Sequence, residues 1–139
     1  MEYILILHRK ASPSKGFVQT TYFDRKFDNK VSARKFAIAI MTKHKQYFNI
    51  DVYPTSDIGE HAEWYGNDFQ RFSFNEESIR KETVKNRIIW YTTRYKNGEK
   101  FDEVLNKDGT LTGKSLENVV LARDPKFYDY DWDALLRKA

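Results

Sequence analysis

The sequence predicts an α+β fold, a mostly antiparallel sheet packed on one main amphipathic helix, in a single domain over 1–139. Three observations predict it. Apolar and aromatic runs of strand length recur, bounded by Gly, Pro, Asn and Asp. One stretch, residues 32–48, SARKFAIAIMTKHKQYF, carries a helical period instead of an alternating one. The chain has 139 residues, with only six Gly and three Pro, which fits one domain without long linkers. The predicted order is β-β-α-β-β-α-β-β-α.

Tyr3 to Arg9, YILILHR, is apolar without alternating, as expected of a central strand covered on both faces. Pro13 and Gly16 mark a turn, and Phe17 to Phe27 then alternates as an antiparallel partner strand. The main helix is expected over 32–48, with Ser32 as N-cap. Its apolar stripe is Phe36, Ile40 and Tyr47, flanked by Ala37, Met41 and Phe48. Asn49 to Tyr53 reads as a short strand ended by Pro54. Residues 55–68 read as an ordered surface loop and 69–74 as a short strand. Asn75, Glu76 and Glu77 look like a helix start, and a helix is expected over 76–86.

The dense β-branched and aromatic run after Ile88 favours a hairpin, turning at Lys96-Asn97-Gly98 and returning over 99–105. The rival reading is one helix over 76–96. Asn106 to Gly109 is a turn, and Ser115 caps a short helix or strand over 116–122, broken by Pro125. The tail, Phe127 to Leu136, alternates aromatic and acidic residues from Tyr128 to Asp133 and is expected to dock its rings and end in a short helix.

Cysteine is absent, which excludes disulfides and thiolate metal sites. No segment approaches the roughly 18 apolar residues of a membrane span, and the first apolar run is too short for a signal peptide. A soluble, cytoplasmic protein with no membrane partner is expected. The net charge is +4, and the charges come in blocks. Residues 1–50 hold ten Lys/Arg against three Asp/Glu, whereas residues 51–68 hold five acids and no Lys or Arg. Such blocks are either solvated faces or an electrostatic footprint for phosphate or an acidic partner.

Motifs for specific chemistry are incomplete. Gly109 to Ser115, GTLTGKS, has three residues between its glycines where a phosphate loop needs four. Lys114 beside a helix N-terminus would at most make a weak anion site. Asp129, Asp131 and Asp133 lack the glycine and glutamate of a calcium loop. His8 reads as a core or edge histidine. His61, among Asp57, Glu60 and Glu63, is the one histidine placed for acid–base or metal work. No cofactor, catalytic residue or metal ligand is assigned.

Lys15 to Tyr22, KGFVQTTY, resembles part of the RNA-recognition-motif octapeptide at Lys15, Gly16, Phe17 and Tyr22. Val18 and Gln19 depart from it, and that family places a helix between its two aromatic strands where this chain has a loop. The chain is therefore not assigned to the family. The likeness implies only an aromatic, basic strand face.

The leading functional expectation is a non-enzymatic binding protein that uses a basic, aromatic surface on nucleic acid or a nucleoprotein. Arg25, Lys26, Arg34, Lys35, Lys43 and Lys45 would neutralise phosphates. The alternative is a modulator or inhibitor that grips a larger host protein through Trp64, Tyr65, Trp90, Arg94 and Trp132. In composition the chain is similar to many small phage-encoded accessory proteins. A third class is a metal-dependent phosphodiester enzyme using the acidic loop 57–63. The oligomeric state and the choice among DNA, RNA and protein stay open.

Overall fold

A computed structural model describes residues 2–9, 19–55, 77–84 and 87–130. Strands β1 (Tyr3–Arg9) and β2 (Gln19–Phe27) pair antiparallel, and helix α1 (Lys30–Lys43) returns along them to β3 (Tyr47–Pro54). Then come β4 (Glu77–Val84), β5 (Arg87–Lys96), β6 (Glu99–Leu105), β7 (Leu111–Ser115), helix α2 (Leu116–Ala122), a 3₁₀ turn (Pro125–Phe127) and β8 (Asp129–Tyr130). The sheet order is β2-β1-β3-β4-β5-β6-β7, with every described pairing antiparallel and β8 added beside β5. This is the α+β architecture the sequence predicts.

β1 is central because it pairs with β2 on one side and β3 on the other, and Ile4 to Leu7 are buried on both of its faces. One face packs under α1. Leu5, Leu7, Ile50, Val52, Ile79 and Trp90 meet Ala33, Ala37, Ile38 and Met41 there. On the other face, α2 covers a smaller cluster of Ile89, Val104 and Val119. The β5–β6 hairpin turns at Asn97 (φ 52°) and Gly98 (φ 82°), the left-handed pair that a tight hairpin needs.

Three expectations are corrected. Helix α1 begins two residues earlier, with Asn29 as N-cap accepting from Ser32 N–H at 2.8 Å, and ends at Lys43. Tyr47 and Phe48 belong to β3, because pairing with β1 satisfies their backbone where continued helix would not. The core line is Ala33, Ala37 and Met41, so Phe36 and Ile40 pack at its edge and Arg34 faces inward. Residues 77–84 form a strand, not a helix. Ile79 enters the α1 core, Ser78 lies on the opposite face, and Glu77 serves as a counter-ion instead of a helix-start acid. The expected strand 69–74, the acidic loop and the terminal helix lie outside the described residues.

Candidate functional site

Two parallel rows of polar side chains cross the sheet on the face away from α1. Cross-strand register aligns His8, Asn49, Arg80 and Tyr91 in one row. It aligns Asp51, Ser78, Thr93 and Asp102 in the other. Hydrogen bonds tie the rows together. His8 Nε2 donates to Asp51 Oδ2 at 2.7 Å, and Asn49 donates to Asp51 Oδ1 at 3.1 Å and to Ser78 Oγ at 2.9 Å. Arg80 Nε also donates to Ser78 Oγ, at 3.2 Å, and Thr93 donates to Asp102 at 2.6 Å. Burial raises the Tyr91 hydroxyl above its ordinary pKa; the charge and hydrogen bond of Arg80 oppose that shift, and the Asp102 and Glu82 charges add to it.

This belt holds the sheet in register more readily than it catalyses. His8, Asn49 and Asp51 are all less than a tenth exposed, and Ser78 is fully buried. Both described contacts to Ser78 Oγ come from donors, whereas a nucleophilic serine must give its proton to a base. Among the described residues no three His, Asp or Glu converge to hold a metal ion. Asp51→Ala removes the carboxylate that accepts from His8 Nε2 and from one Asn49 N–H. It is expected to cost about 1–3 kcal/mol for each stranded group, read by urea denaturation.

The belt ends at a cationic, aromatic rim. Between His8↔Asn49 and Arg9↔Tyr47 the register slips by one residue, so Phe48 is the extra residue of a β-bulge. Phe48 is 37% exposed, and its ring lies 6.3 Å from that of His8. The end of α1 delivers Lys43, His44 and Lys45 to the same end of the sheet as Arg9, and His44 meets Tyr47 edge-on at 6.4 Å. Arg9, Lys43 and His44 form no ion pair with a carboxylate among the described residues.

The cations expected to share one surface are divided. Lys43 and Lys45 lie at this rim. Arg25 and Lys26 lie at the other end of β2, where Arg25 stacks over Phe36 at 4.6 Å and Phe27 at 5.1 Å. Lys35 is exposed beside the β6–β7 turn, where Asp108 lies; hydrogen bonds from Thr110 chiefly hold the Asp108 carboxyl below its ordinary value, and the Lys35 charge adds a smaller effect. Arg34 is 6% exposed and forks onto Glu77, with Nη2 to Oε1 at 2.6 Å and Nε to Oε2 at 2.9 Å.

Of the residues expected to anchor a protein partner, Trp90 is core, and Arg94 is half-buried in an ion pair with Glu103 at 2.7 Å. Trp64, Tyr65 and Trp132 lie outside the described residues, as do His61 and its acidic neighbours. GTLTGKS is a turn followed by β7, and Ser115 Oγ already accepts from Asn118 N–H at the start of α2.

Of the rim residues, the sequence places His44 on the cationic side of the main helix and Tyr47 and Phe48 on its apolar stripe, and gives Arg9 no site role. A signal was present in Lys43-His-Lys45 running straight into Tyr47-Phe48, but reading one helix through both hid it. No helix among the described residues is long and apolar enough to cross a membrane. The chain matches no known family model, no characterised protein and no solved structure.

Proposed function

We propose that this chain is a binding protein for single-stranded nucleic acid, free or within a nucleoprotein, and that the rim at the end of β1, α1 and the start of β3 is its contact. The observation that supports it is the bulged, exposed Phe48 at the strand end that also carries Arg9 and receives Lys43, His44 and Lys45 from the end of α1. Cations neutralise successive phosphates while an aromatic face stacks an unpaired base, a combination that tolerates any sequence. The buried His8–Asp51–Asn49 bonds supply the rigidity that keeps Phe48 turned outward.

The test is fluorescence anisotropy with labelled single-stranded oligonucleotides across a salt series, with duplex of the same sequence in parallel. Phe48→Ala is expected to weaken single-strand binding by about 1–3 kcal/mol. Arg9→Glu and Lys43→Glu are each expected to flatten the log–log salt slope by about 0.7. Lys114→Glu, at the far edge of the sheet on β7, is expected to change neither quantity. Absence of binding at low salt, or equal losses for Lys114→Glu and Arg9→Glu, would sink the proposal.

A further inference from the structure

We infer that the groove between α2 and the β4 and β6 strands is a second docking site, which takes a short basic, apolar segment of a protein partner. The groove has a volume of about 520 Å³. Its apolar lining is Val84, Phe101, Leu116, Val120 and Leu121. Leu121 is 73% exposed, and Val120 and Val84 are 38% and 37% exposed, so the apolar lip continues outward instead of closing over a cavity. An open lip suits a side chain borne on a peptide better than a small molecule, which needs most of its surface enclosed.

The charge around that lip selects the partner's sign. Glu82, Asp102 and Glu117 line the groove against one cation, Lys100. Glu82 and Glu117 are exposed and form no ion pair among the described residues. Three carboxylates at one apolar lip stand against the chain's overall charge of +4. Generic attraction to this protein would bring acidic partners. A basic segment is drawn here only by the local field, and its leucine-like side chains then bury Leu121 and Val120. The groove lies on β4, β6 and α2 and not on the rim strands β1 and β3, and it carries the opposite sign of charge, so it does not rest on the nucleic-acid reading.

The test uses two amphipathic probe peptides of about ten residues, roughly three helical turns, one of Leu and Lys and one of Leu and Glu. At physiological salt the Leu/Lys peptide is expected to bind the full chain and the Leu/Glu peptide to fail. Leu121→Ser, at a side chain too exposed to matter for folding, should weaken Leu/Lys binding about tenfold. The pair Glu82→Lys with Glu117→Lys should reverse the preference, and Arg9→Glu should leave it unchanged. Equal binding of both peptides, no binding of either, or indifference to Leu121→Ser overturns the inference. So does a concentration-dependent dimer that Leu121→Ser dissolves, because the occupant would then be a second copy of this chain.

Discussion

Glu77→Gln is expected to destabilise the fold by about 3–5 kcal/mol, the cost of leaving one member of a buried ion pair uncompensated. Glu77 is 1% exposed and accepts from Arg34 through both oxygens, from Thr92 at 2.8 Å, and meets Lys30 Nζ at 3.3 Å. The pair joins α1 to β4, and Arg34 Nη1 adds a bond to the Gly109 carbonyl at 3.3 Å in the β6–β7 turn. Glu77→Gln keeps the shape but strands the Arg34 guanidinium in the core. Thermal melts should shift down by about 10 °C or more for a chain of this size.

Arg34→Met paired with Glu77→Leu removes both charges and should cost less than Glu77→Gln, since an apolar pair need not be worse than an ionic one. Acid titration gives a second reading. Burial alone would raise the Glu77 carboxyl, but the hydrogen bonds and charge of Arg34, with Lys30 and Thr92, bring it below its ordinary value of 4.5. Its contribution is therefore complete above the unfolded value and is lost as pH falls through the lower folded value. Glu77→Gln should lack that acid-dependent loss. A variant within about 1 kcal/mol of the parent would show that the pair holds nothing together.

These ionic ties explain what was legible in the sequence and what was not. Tyr3 to Arg9 declared itself because a strand covered on both faces needs no polar alternation. The β5–β6 hairpin declared itself through Asn97-Gly98, and Ser115 through its cap, because each is decided within a few residues. Residues 77–84 did not, because what fixes them is distant. Arg34 meets Glu77 across 43 positions, and His8 meets Asp51 across the same separation. No local pattern announces a pairing of that range; it follows from register set by the whole sheet. The end of α1 was missed for a related reason. No Gly or Pro lies within the ten residues after Lys43, and the helical spacing of Phe36, Ile40 and Tyr47 continues until strand pairing with β1 interrupts it.

The candidate site was legible in proportion. Lys43 and Lys45 were singled out and lie at the rim, but Arg9 and Phe48 join them only through the return of α1 and a one-residue slip in β3. Arg34 shows the converse hazard. A cation on a helix reads as surface unless its buried partner is known, and that partner lies on another element. Charge blocks in a sequence therefore report surface potential only after the paired charges have been taken out.

Gly109→Ala is expected to be the most damaging change outside the ion pair, at about 2–5 kcal/mol, combining left-handed strain with overpacking. Gly109 has φ +90°, and an added Cβ would lie 2.2 Å from the carbonyl oxygen of Val31 and 3.0 Å from the backbone nitrogen of Lys35. Both atoms are backbone of α1, so no side chain can swing aside. The helix and the β6–β7 turn must part, and the Arg34 bond to the Gly109 carbonyl would lengthen with them. Gly98→Ala is the internal control. Its φ of +82° is similar, yet nothing lies within 4 Å of the added Cβ. It should cost only the conformational strain, about 1–2 kcal/mol. The excess of Gly109→Ala over Gly98→Ala thus measures how tightly α1 is seated on the turn. Combined with Arg34→Met, Gly109→Ala should cost less than the sum of the two changes, because each already loosens the same contact. Denaturant titration of the parent chain and these four variants decides it. Equal losses for the two glycine variants would mean that α1 and the β6–β7 turn are not in close contact at Gly109.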